Sequence, residues 1–167
     1  MVDLETMGNG SNAAIVSIGA VVFEPKTGQL EDEFLANIDL ESSVNAGGVM
    51  DASTVIWWMK QSEDARKNLG DGLKIDTALF EFSEWMKAAN ASFVWGNGAP
   101  FDNVILGNAY DRLKIVRPWS HWNDRCYRTL KNLMPDVKLE RVGTHHNALD
   151  DAKSQALHAI KLLNIIA

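Results

Sequence analysis

The sequence predicts an α/β fold, one mixed β-sheet with helices packed on its faces. Three observations carry that prediction. The first forty residues hold Ile- and Val-rich stretches separated by turn signals. From residue 51 onward, capping residues precede runs whose apolar positions recur at helical spacing. Between residues 92 and 109 a short apolar run passes through glycines into another helical run.

The elements follow in order. Met1 to Glu5 is the end of a strand. Ala14 to Phe23 is a second, bounded by Asn12 and Pro25, with Thr27-Gly28 as a turn. Phe34 to Leu40 is a further extended segment, so three strands joined by short turns form an antiparallel meander. Asp51 or Ser53 caps a helix through Val55, Trp58 and Met59. Ser62 caps a short one through Ala65 and Leu69, stopped by Gly70. Asp76 caps a third, with Leu79, Phe80, Phe82, Trp85 and Met86 on a broad apolar face. Ser92 to Trp95 is a buried strand closed by Gly96 and Gly98, and Pro100 starts a helix through Val104, Ile105 and Ala109. Residues 114 to 123 are irregular, Arg125 to Leu133 is helical, and a last helix runs from about Ala148 to Ile165.

The chain has 167 residues, 46% of them apolar, which suits one domain with a real core. No repeat, low-complexity segment or linker divides it, so residues 1 to 167 are expected to form a single domain. Only Met1 and Val2 precede Asp3, a short strand on that side, and a start upstream of Met1 stays open. No apolar run approaches the length of a membrane span, so no membrane partner is expected. A single cysteine, Cys126, forms no internal disulfide, and a reducing cytoplasm is the default compartment.

The net charge of −6 argues against a simple nucleic-acid binder. Its distribution softens that. Residues 111 to 141 hold eight Lys/Arg against four Asp/Glu, a local balance of +4. Bound divalent cations would neutralise acids elsewhere and attract phosphate themselves.

Chemistry-bearing residues gather in three short motifs. Asp3 and Glu5 are two apart on a strand, so both carboxylates project to one face. A hard divalent cation compensates such a pair, although taken alone the pair is more simply a solvated strand face or a disordered N-terminus. Asp102 follows the turn Gly96-Asn97-Gly98-Ala99-Pro100-Phe101, at a strand-to-helix junction where ligand sites form and where helix-dipole compensation also places acids. His146 and Asp151 are five apart and share a cleft only if His146 precedes the helix; His145 and Asp150 have the same spacing, so spacing does not choose between them. In this order the acids and the histidine point to a metal-dependent nuclease. Two cations about 3.5–4 Å apart stabilise the attacking and leaving oxygens of a phosphodiester, and a neutral imidazole takes a proton from water.

These motifs resemble the DEDDh-type 3′-5′ exonucleases, of ribonuclease-H-like fold. The pattern D-x-E-T-x-G stands as Asp3-Leu4-Glu5-Thr6-Met7-Gly8. The F-D motif after a small-residue turn stands as Gly98-Ala99-Pro100-Phe101-Asp102. H-x-A-x-x-D-A stands as His146-Asn147-Ala148-Leu149-Asp150-Asp151-Ala152, and Ala148 fixes the register on His146 and Asp151. Trp57 to Ser62, Trp95 to Gly98 and Asp124 to Leu130 further resemble the branch with phage exonuclease A and exodeoxyribonuclease VIII-like proteins. That branch includes a mycobacterial exoribonuclease, so the resemblance does not choose DNA or RNA. Proofreading members usually carry His-Asn where this chain has Asn97-Gly98, and a second Thr where it has Met7, which disfavours a polymerase subunit.

The resemblance implies two Mg²⁺ or Mn²⁺ ions held by Asp3, Glu5, Asp102 and Asp151. Asp3 would bridge both, Glu5 and Asp151 would complete the site of the ion holding the nucleophilic water, Asp102 would serve the second, and His146 would be the general base. A single strand would be shortened from its 3′ end to nucleoside 5′-monophosphates, and a homodimer is left open. Thr6, the neighbouring Leu4 and Met7, and Phe101 are candidates for gripping the terminal nucleotide, with Trp58 lining the cleft and Trp57 as helix packing. Arg125 and Arg128 are candidates for backbone phosphates or an exposed helix face, and Gly8 and Gly10 for the turn after the first strand. Two other classes remain in view: a non-hydrolytic nucleic-acid-binding module, and an endonuclease or other phosphoesterase on the same fold.

Overall fold

The computed structural model describes residues 1–67 and 69–167. Its five strands are β1 (Val2–Thr6), β2 (Ile15–Glu24), β3 (Gln29–Asn37), β4 (Val94–Gly96) and β5 (Asp124–Cys126). They lie in the order β3-β2-β1-β4-β5. The first three pair antiparallel, and β4 joins β1 and β5 in parallel, so the sheet is mixed. Its helices are α1 (Leu40–Asn45), α2 (Ala52–Met59), α3 (Glu63–Arg66), α4 (Ile75–Ala88), α5 (Asp102–Leu113), α6 (Tyr127–Leu133) and α7 (Ala148–Ile166).

Strand chemistry matches strand position. Ile15 to Val21 of β2 is buried throughout, which explains its near-continuous apolar run: both faces are covered. β3 lies at the edge and carries Glu31, Asp32 and Glu33, charges that discourage pairing with another chain. Along β1, Val2 and Leu4 enter the core shared with α4 and α5, where Ile75, Phe82, Ile105 and Tyr110 meet them. Asp3 and Glu5 therefore face the opposite layer, where α7 and α6 build a second core from Val21, Tyr127, Ala152, Ala156 and Leu162. A third cluster joins Trp58 of α2 to Met7, Ala14 and Val16.

Several boundaries differ from expectation. β3 stops at Asn37, and the residues beyond it turn into α1, capped by Asp39, which accepts from Ser42 N at 3.0 Å. Asp76 does not cap α4. That helix begins one residue earlier, at Ile75, whose N–H donates 3.1 Å to Ser42 Oγ, a cap supplied from another helix. Pro100 lies in the turn before α5. Asp124 to Cys126 is strand, because it pairs with Val94 to Gly96 before α6 starts. The helix after Ser62 is four residues long; Leu69 lies in the following turn, and Asn68 is outside the described residues. Asp51 does cap α2, accepting from Thr54 N at 2.8 Å.

Two close approaches position the elements around β1. Gly19 of β2 sits opposite Asp3, and a Cβ on it would lie 2.1 Å from the carbonyl carbon of Ala148 and 2.2 Å from Leu149 N. Only the missing side chain lets the start of α7 rest on the sheet there. Gly96 does the same for α5: a Cβ would come within 2.4 Å of Asn103 Oδ1.

Candidate active site

Folding collects the acids from three elements. Oxygens of Asp3, Glu5 and Asp151 lie within 4.8 Å of one another, with Asp151 in the first turn of α7. Asp102, the first residue of α5 and only 3% exposed, reaches the same strand. Its Oδ1 accepts from Leu4 N at 3.2 Å. The pairing of β4 with β1 is confined to Val2 and Gly96, so a side chain takes the place of a strand partner at Leu4.

This crowding alters the acids' protonation. Burial, then the charges of Asp102 and Glu5, hold Asp3 well above the usual carboxylate range, while the hydrogen bond from Gln155 acts the other way. Burial, followed by Asp151 and Asp102, pushes Glu5 up to about 8. Burial pushes Asp102 up to about 7 against the opposing donation from Leu4 N–H. Two side chains offset the charge by direct donation: Gln155 Nε2 to Asp3 Oδ1 at 2.7 Å, and Arg141 Nη1 to Asp151 Oδ1 at 2.6 Å. Gln155 is neutral and Arg141 half exposed. A buried, oxygen-only donor set so weakly compensated fits a hard divalent cation.

His146 stands in the turn before α7, in left-handed backbone with φ +65°. Its N–H donates to Asp151 Oδ2 at 2.9 Å, which is how two residues five apart share one cleft. Asp150 accepts instead from Thr144 N at 2.7 Å, so of the two five-apart pairs it is His146 and Asp151 that meet directly. The His146 ring meets Trp57 edge-on at 4.8 Å and Trp58 at 6.2 Å. Burial, then neighbouring His145, lowers its pKa and favours the neutral ring.

Beside the acids opens a cleft of about 300 Å³ lined by Leu4, Glu5, Thr6, Asn9, Thr54, Trp57, Trp58 and Phe101. Trp58 forms its floor, with Nε1 donating 2.9 Å to Thr6 O. Thr6 Oγ1 in turn donates to Gly8 O at 2.8 Å. Met7 is 7% exposed and packs its side chain with Ala14, Val16 and Trp58, which leaves its backbone as the part next to Thr6. One expectation is corrected. Trp57 is not simply packing, since it is 40% exposed and forms a cleft wall against His146.

Arg125 lies over the Phe93 ring at 4.5 Å, and Arg128 donates to Asn97 O while its charge lowers the pKa of nearby Asp102. Sequence reasoning missed Gln155, Arg141, Asn9 and Thr54. Gln155 had a signal: it follows Asp151 by four, one helical turn along the same face. Arg141 had none, because a loop delivers it.

The profile of the 3′-5′ exoribonuclease Rv2179c-like domain matches residues 1–163. The chain belongs to this family. It is also 30% identical over 158 residues to an exodeoxyribonuclease of Enterobacteria phage T4, a match covering 77% of this chain and 68% of that protein. Among solved structures it resembles the nuclease domain of 3′hExo, a DEDDh family member bound to rAMP, with a TM-score of 0.67 and 17% identity over 98% of this chain and 90% of that one. It also resembles the 3′-exonuclease described in 3′-end-specific recognition of histone mRNA stem-loop, with a TM-score of 0.65 and 17% identity over 98% and 80%. These two likenesses concern the fold, which is the ribonuclease-H-like fold of the DEDDh nucleases. The family member is thus a 3′-5′ exonuclease, a nucleic-acid-binding hydrolase of a class that generally uses divalent metal ions.

Proposed function

We propose that the enzyme removes nucleotides one at a time from the 3′ end of a single strand by metal-assisted hydrolysis, releasing nucleoside 5′-monophosphates. The observation that carries this is the meeting of Asp3, Glu5 and Asp151 within 4.8 Å, beside Asp102 and with His146 tied to Asp151. Asp3, Glu5, Asp102 and Asp151 would hold the two Mg²⁺ or Mn²⁺ ions. Bound there, the ions would lower the pKa of the attacking water and neutralise charge on the phosphate.

The chain's own groups do the rest. His146, kept neutral by its surroundings, accepts the water's proton at a ring nitrogen. Its backbone tie to Asp151 holds that nitrogen beside the acids as the proton moves. The cleft beside Glu5 takes the terminal nucleotide, with Phe101 and Trp57 offering flat apolar faces and Leu4 and Thr6 the strand-end contacts. Stacking of this kind contributes about 1–3 kcal/mol and tolerates any base.

Residues 1–167 serve as one exonuclease domain in the cytoplasm, in the branch that includes phage exonuclease A. The relationship to the T4 enzyme supports that placement and a DNA substrate, whereas the family description supports RNA. The test supplies matched 5′-labelled DNA and RNA, single- and double-stranded, with Mg²⁺ or Mn²⁺. Stepwise shortening is expected, abolished in Asp3→Ala and reduced about 10²–10⁴-fold in His146→Ala, the usual range for loss of a general base. Cleavage of circular strands, or no shortening with either ion, counts against the proposal.

A further inference from the structure

In extended chain, successive side chains diverge to opposite faces. His145 and His146 do not. The left-handed backbone at His146 brings its ring alongside that of His145, and the two stack with centroids 3.7 Å apart and planes 28° from parallel. One ligand atom from each imidazole and one from Asp151 lie within 4.8 Å of each other. Asp151 is fixed there by the His146 N–H, whereas His145 is exposed and, beyond its charge beside His146, is assigned no step in the hydrolysis proposed above.

We infer that His145, His146 and Asp151 form a tripod for a transition-metal ion, zinc above all, whose capture switches the exonuclease off. Two imidazole nitrogens, a carboxylate oxygen and a water make an ordinary tetrahedral zinc set. Two ligands on one such ion lie about 3.3 Å apart, so the tripod closes when the two rings swing out of their stack and turn their nitrogens toward a common point. Magnesium prefers all-oxygen surroundings and leaves this set alone. Arg141 is the cation now at Asp151, and being half exposed it can withdraw to solvent as the ion enters.

The inhibitory consequence rests on His146 acting as the base. A ring nitrogen donating its lone pair to zinc accepts no proton from water. Asp151, shared between the tripod and the acid cluster, is diverted at the same time. No covalent change occurs, so removing the ion restores activity.

The test titrates Zn²⁺ into Mg²⁺-supported digestion by the full chain and follows Co²⁺ binding through its visible absorption. Wild type is expected to be inhibited. His145→Ala keeps its zinc-free rate within about twofold and needs about tenfold more zinc or beyond, in line with the usual loss of affinity around a metal site. Intense four-coordinate cobalt bands should persist in Asp3→Ala and vanish in His145→Ala. Equal zinc sensitivity of wild type and His145→Ala overturns the inference, as do cobalt bands that follow Asp3 instead of His145, or none at all. Cobalt bands lost with His145, together with hydrolysis undiminished by zinc, uphold the metal site and count against His146 as base.

Discussion

Gln155 shows how one side chain tunes the acid cluster. It is buried on α7, and its amide donates 2.7 Å to Asp3, the acid at the centre of the proposed two-ion site. The donation selects one oxygen and opposes the burial that raises Asp3's pKa. Gln155→Leu keeps the volume and removes the donor. Mn²⁺ affinity measured by calorimetry should fall about 10–100-fold with the fold intact, the range for lost partners of metal ligands; unchanged affinity would deny Gln155 this role. At this scale much was readable in advance. Alternation along a strand put Asp3 and Glu5 on one face. Trp57 was misread because helical periodicity reports which face is apolar, and a cleft wall is apolar too. Arg141 was invisible because nothing local fixes where a loop lays its side chain.

At the scale of elements, the site depends on how closely α7 approaches the sheet. Gly19 permits that approach directly opposite Asp3. In Gly19→Ala the new methyl meets backbone atoms of Ala148 and Leu149, which cannot rotate away as a side chain would. The start of α7 must lift, carrying Asp151 and His146 from Asp3 and Glu5. Destabilisation of about 1–3 kcal/mol or more is expected from such overpacking. Mn²⁺ affinity should drop with it; a variant of normal melting temperature and affinity would show that the contact relaxes harmlessly. The long helices and the antiparallel meander were legible, because repeated apolar positions and turn residues agree along them. Three-residue β5 was not, since pairing with β4 rather than local composition makes it a strand. The start of α4 was missed for a similar reason: its cap comes from Ser42, 33 residues away.

For the molecule as a whole, the buried acids set how stability varies with pH. Glu5 titrates near 8 in the folded state against 4.5 ordinarily. The native chain therefore keeps a proton that the unfolded chain releases. That contribution is complete below about pH 4.5 and is lost as pH rises through about 8. Asp102, raised to about 7, acts in the same sense. His146, lowered from 6.5, acts oppositely: its contribution is present above that value and lost as pH falls. In EDTA the melting temperature should fall between pH 5 and 8, by the balance of these terms. Glu5→Gln, which cannot ionise, should flatten the fall, and Mn²⁺ should reverse it in the wild type. A wild-type profile that the substitution leaves unaltered would separate the acids from the stability of the sheet. The same architecture divides the site by persistence. β1 lies between β2 and β4 with a core on each face, so the amides it pairs with β2 exchange with solvent only when the sheet opens. The turn bearing His146 is tied to the start of α7 through Asp150, Asp151 and Ser154 and can breathe while β1 stays shut. The proposed cation cage and the proton acceptor thus belong to cooperative units of different lifetime, and moderate heating should silence catalysis before the carboxylates disperse.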